Sequence, residues 1–247
     1  MGDFEPSRHA KKIITKSNYK VQMIHGSIVE TPDSLVAYAR VIDNFAHQHF
    51  FSACLFRDHC IRIESSTEID RYQAYCELRS YASATVMSTA AALEVLINEL
   101  FIAHGSKLRK TIPDFDSEFW GSKGIERKPP IEKYKLALSL LGAPAFSNTS
   151  TIYRDAWALV ELRNALVHFK PTWDPVEHKR VSIDQVLSGK YALSPFGNPL
   201  SDFVTIQSMS AGCATWAVRS TFAFIRDFDH RTNLDKDKMS GIFALET

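Results

Sequence analysis

A chain of 247 residues is long enough to bury a sizeable core and implies one or two domains. Its 45% hydrophobic and 23% charged residues exclude a largely disordered chain. A formal net charge of +1 excludes a general polycation, so any nucleic-acid binding has to rest on a local patch.

The opening stretch, MGDFEPSRHAKK, lacks the apolar run of a signal peptide, and Pro6 stands where a myristoylation signal wants Ser or Thr. The alternation Tyr19-Lys20-Val21-Gln22-Met23-Ile24 predicts a short strand. Thr31-Pro32-Asp33 supplies a helix start, with the helix running to about Ala46. Residues 50–63 are read as one or two further strands. Residues 1–65 are therefore expected to form an α/β extension.

Ser65-Ser66-Thr67-Glu68 opens a long helical pattern that reaches His104-Gly105, as one helix or two joined by a kink. Val86, Ala90, Leu93, Ile97, Leu100 and His104 fall on one face of it, and Gly105 is the expected stop. Residues 81–103 are the most membrane-like stretch. Glu94 and Glu99 interrupt it, so a buried helix is expected rather than a membrane span.

A linker with Pro113, Gly121, Gly124, Pro129 and Pro130 follows, then a helix over 131–141 closed by Gly142. Asn148-Thr149-Ser150 caps the next helix, which Pro171 ends. Residues 172–207 read as a loop-rich excursion, 208–229 as a final helix and 231–247 as a tail. The expected fold is mainly α: a helical bundle over 66–230, interrupted by the excursion at 171–207, behind the N-terminal α/β extension.

Within the helix that follows Ser150 stands ELRNALVHF, residues 161–169. Leu159, Leu162 and Leu166 make its core stripe. Arg163, Asn164, Val167 and His168 spread over an arc of about 140° on another side, with Tyr153, Trp157 and Val160 a turn or two earlier. A partly apolar side ending in polar groups fits a face that meets a second subunit.

Those residue types suit metal-free RNA cleavage. The reaction removes a proton from the 2′-hydroxyl, stabilises charge on phosphorus and protonates the leaving oxygen. Histidine can do either proton job at neutral pH. Arginine offers a planar fork that matches phosphate oxygens. Asparagine can orient the imidazole or donate to the phosphate. One helix supplies one histidine, so a two-fold dimer would provide both acid and base.

Arg163-Asn164-Ala165-Leu166-Val167-His168 fits the RNxxxH form of the R-x4–6-H signature and resembles the HEPN superfamily. Its setting, LVELRNALVHFKP, is similar to that family's C-terminal catalytic helix. Residues 91–101, AALEVLINELF, are similar to its other long core helix. The similarity covers roughly residues 66–230. It implies a helical bundle that dimerises through the motif face and cuts RNA without metal or other cofactor, leaving a 2′,3′-cyclic phosphate and a 5′-hydroxyl. Arg163 and His168 would be the catalytic pair and Asn164 the supporting residue. Many members are toxins or abortive-infection effectors silenced by a nucleotidyltransferase-type antitoxin; others are non-catalytic dimerisation or binding modules for a protein or nucleotide.

Glu94 and Asn98, one turn apart on the long helix, are candidates for orienting His168, with an exposed polar pair as the alternative. Between the helices, Lys107, Arg109, Lys110, Arg127 and Lys128, together with Lys123, Lys133 and Lys135, are interleaved with Phe115, Phe119 and Trp120. That pattern could track a single RNA strand, or it could be a solvated linker. His47, His49, Cys54, His59 and Cys60 match no familiar zinc spacing, and no metal is expected. The four cysteines, which also include Cys76 and Cys213, lack a CxxC spacing and suit reduced thiols in a cytoplasm.

Overall fold

A computed structural model describes residues 45–102, 107–112, 120–121, 124–169 and 183–234. The protein is mainly helical, with no strand among the described residues. The expected strand at 19–24 and most of the expected helix at 32–46 lie outside them, as do His104, Gly105, Lys123, Phe115 and Phe119. One compact unit spans Asn44–Thr247.

The segment read as strands is a helix, α1, Phe45–Ser65. Its buried residues Ala46, Phe50, Ala53, Cys60 and Ile63 recur at helical spacing and pack against α2, Arg71–Ile102. α1 and α2 make the most extensive helix pair in the fold. The helical unit therefore begins upstream of residue 66, and the bundle takes α1 from the expected extension.

α2 is a single unbroken helix. Its start lies at Asp70 rather than at Ser65–Glu68, because the Asp70 Oδ1 accepts from the N–H groups of Tyr72 and Gln73 at 3.0 and 3.1 Å. By length and composition α2 could cross a membrane, yet 56% of its most apolar window is buried inside the protein. Val86, Ala90, Leu93, Ile97 and Leu100 are all fully buried, as a core helix requires.

After the one-turn α3, Lys107–Lys110, and a 3₁₀ turn over Ile125–Arg127, α4 runs Pro130–Leu140 with Pro130 at its first turn. Gly142 takes a φ of 62° just beyond it. Its N–H donates to Ser139 O, and that of Ala143 to Leu138 O, which closes the helix end.

The motif helix is α5, Thr151–Val167, followed by the short α6, Ile183–Leu187, a π-helical turn, Phe203–Gln207, and α7, Ala211–Thr232. The excursion is anchored at several points. Lys190 pairs with Asp155 of α5, and the Arg79 guanidinium of α2 donates to Thr205 O at 2.7 Å. The core joins α2, α4, α5 and α7. At its centre Tyr134 is fully buried, donates to Leu93 O at 2.9 Å and meets Phe224 and Phe228 edge-on at 4.9 and 4.8 Å.

Candidate functional site

α5 forms because Leu159 and Leu162, both fully buried, and the half-buried Leu166 pack onto the bundle at helical spacing. Ser150 is the N-cap residue, but its hydroxyl makes no capping bond. The helix stops at Val167 and His168 is its C-cap, with φ −106° and ψ 31°. The His168 N–H still donates to Asn164 O at 2.9 Å. The imidazole therefore leaves from the end of the helix, and His168 is exposed.

Arg163 faces the other way, onto α2. Its Nη2 donates to Glu94 Oε2 at 3.1 Å, and its side chain is 24% exposed. The other Glu94 oxygen lies 3.9 Å from the Lys133 ammonium of α4. Lys133 is fully buried, donates to Asn98 Oδ1 at 2.9 Å and stands 5.9 Å from the centre of the Trp120 ring. Burial pushes its pKa below the usual lysine value, with Glu94 and Glu126 pulling partly back.

Glu94 is thus held between two cations, one from α4 and one from α5. It orients Arg163; the expectation that Glu94 and Asn98 would orient His168 is corrected, since both are tied to Arg163 and Lys133 instead. Asn164 is half-buried, and no side-chain hydrogen bond joins it to Arg163 or His168. Within one chain no hydrogen bond or ion pair joins the three motif side chains to one another.

Beside His168 in the chain, Val167 and Phe169 are 51% and 42% exposed, and Trp157, about three turns earlier on α5, is 41% exposed. Tyr153 and Val160, placed on the same arc by periodicity, are instead packed inward, Val160 against the core and Tyr153 against Phe146. The exposed face is narrower than the arc and lies toward the C-terminal end of α5.

The basic stretch splits in two. Lys107, Lys110, Arg127 and Lys128 are exposed, and Arg109 bends back to Ile112 O at 3.1 Å. Lys133 is in the core, and Trp120 packs near Phe101 with ring centroids 6.0 Å apart, so neither is a surface contact. Lys133 is the member of the site that sequence reasoning misplaced. Its signal was available, because Lys133 falls beside Tyr134, Ala137 and Leu138 on the buried side of a short helix.

The α1 histidines are engaged locally: His59 stacks on Tyr81 at 4.5 Å and His49 meets Phe45 edge-on. No group of three or more His, Cys, Asp or Glu residues able to hold a metal occurs among the described residues. Cys60 and Cys213 are buried, and burial pushes both thiols up to about 12, far from nucleophilic range. Comparison with protein-family models, with curated proteins and with solved structures finds no match to this chain.

Proposed function

We propose that this protein is a metal-independent endoribonuclease of HEPN type, acting as a homodimer through the exposed end of α5. The observation that carries the reading is the placement of His168: on the surface, at a helix end, flanked in the chain by the exposed Val167 and Phe169, and five residues from an arginine held in place by an ion pair. An exposed apolar flank of this kind suits a second copy of the chain, which would bring a second imidazole.

In that arrangement one imidazole takes the 2′-hydroxyl proton and the 2′-oxygen forms a bond to phosphorus. The phosphorus–5′-oxygen bond breaks, and the leaving oxygen receives its proton from the second imidazole, leaving a 2′,3′-cyclic phosphate and a 5′-hydroxyl. Glu94 uses one Arg163 nitrogen, and the guanidinium has five N–H donors, so several remain for a phosphate. The family resemblance extends the reading to a cytoplasmic toxin or defence effector restrained by a nucleotidyltransferase-type antitoxin.

The test is RNA incubated in EDTA with the wild type, His168→Ala and Arg163→Ala. Each variant should lose at least about 100-fold in cleavage rate while its circular dichroism is unchanged. Cleavage undiminished in either variant refutes the assignment.

One observation favours a second reading. The Arg163 charge is already compensated by Glu94, which suits a non-catalytic dimerisation or binding module that uses the same helix end. That reading requires no RNA turnover in the wild type, and loss of dimer or partner when Val167 becomes charged.

A further inference from the structure

Away from the motif, α1 and α7 flank an open cleft of about 1000 Å³. Its floor and walls are apolar, built from Phe50, Phe51 and Leu55 of α1 and Val218 and Phe222 of α7. Phe51 and Leu55 are 40% and 46% exposed, so no other described residue covers them fully.

One rim is cationic. Arg219, Arg226 and His230 of α7 recur at helical spacing, line the cleft and are exposed. The carboxylates nearby are already engaged: Asp58 with Arg57 at 2.8 Å, and Asp227 with Arg231 at 2.8 Å. Arg219 and Arg226 make no ion pair or hydrogen bond among the described residues. They stand about 10 Å apart along the helix axis. Two unspent guanidiniums beside the exposed ring of Phe51 and the half-buried ring of Phe222, which stacks on Phe50 at 6.5 Å, are the combination that single-stranded nucleic acid needs, with phosphates on the arginines and bases against the rings.

We propose that the α1–α7 cleft is a track for single-stranded RNA, with Arg219 and Arg226 on phosphates and Phe51 and Phe222 against bases. The choice of RNA over an acidic amphipathic protein segment rests on the nuclease reading above. Ile152, at the start of α5, lines the cleft, whereas His168 ends that helix about 24 Å further along its axis. The cleft therefore holds nucleotides flanking the scissile bond of the same chain, not that bond.

The experiment uses full-length His168→Ala protein, so that the probe survives, and fluorescence anisotropy of 5′-fluorescein-labelled dodecauridylate. Adding Arg219→Ser and Arg226→Ser together should weaken binding about tenfold or more at low salt. It should also flatten the slope of log affinity against log salt by about 1.4, the share of two phosphate contacts on a single strand. Phe51→Ala should weaken binding with the slope unchanged. Both arginines are exposed, so the fold should persist, which thermal melting verifies.

Unchanged affinity and slope in the arginine variant overturn the proposal and leave the cleft to a protein segment, as does a parent protein that does not bind the probe. Neither outcome touches the nuclease reading, which stands or falls on cleavage by the wild type and its loss in His168→Ala.

Discussion

Lys133 stands out among the side chains of the bundle because a fully buried ammonium is costly unless partnered. Asn98, Glu94 and the Trp120 ring supply partners, and burial still holds its pKa down. The folded-state pKa lies below the unfolded one, so the fold carries a penalty at neutral pH that fades as pH rises through the folded value toward about 10.4. Wild-type stability relative to Lys133→Met should accordingly grow between pH 7 and pH 10, measured by urea unfolding; a constant difference would contradict this. Glu94→Gln should leave both Arg163 and the buried Lys133 without their charged partner, lowering RNA cleavage in the EDTA assay and lowering the melting temperature at neutral pH. The motif was legible in the sequence as a pattern; that His168 alone of its three polar residues is exposed was not. Periodicity put Arg163 and His168 on one broad arc, but Arg163 is held on Glu94 of α2 whereas His168, the C-cap, is exposed.

At the level of elements, two helices were readable to within a few residues: α4 from its double proline and Gly142, and α7, expected over 208–229 and found at Ala211–Thr232. α7 begins where Ser210 Oγ accepts from Cys213 N at 2.9 Å and donates to Ala192 O at 2.7 Å. α1 was misread because Phe50-Phe51-Ser52-Ala53-Cys54-Leu55-Phe56 is a short apolar run, which strand and helix share. Only packing against α2 decides between them, and Ala46, Phe50, Ala53 and Cys60 at helical spacing are its trace. A second element-level constraint was invisible in sequence. A Cβ at Gly212 would lie 2.7 Å from Ala192 O, a backbone atom that cannot swing aside. Gly212→Ala should therefore cost about 1–3 kcal/mol and lower the melting temperature by several degrees, despite alanine's better helix propensity. An unchanged or raised melting point would show that the 192 segment yields freely.

For the molecule as a whole, the exposed Trp157, Val167 and Phe169 define the surface on which assembly is expected. Val167→Asp should shift a dimer to monomer in sedimentation, and with the nuclease reading should also abolish cleavage, since each copy brings one imidazole. A monomeric wild type that cleaves RNA would contradict the two-imidazole arrangement. Val160, in contrast, is a core position, so a charge there reports on folding and not on assembly.

The carboxylate of Glu64, at the end of α1, accepts from the Ala211 N–H that opens α7, 2.7 Å away and 147 positions along the chain. The first and last described helices are thereby latched, and Tyr134 waits for Phe224 and Phe228 from the same late segment. During synthesis this interior is completed only once α7 has been made, long after α1 and α2 can pair. A nascent chain stalled after α5 should thus leave Tyr134 and its neighbours open to protease: the closing of this interior waits on the synthesis of α7.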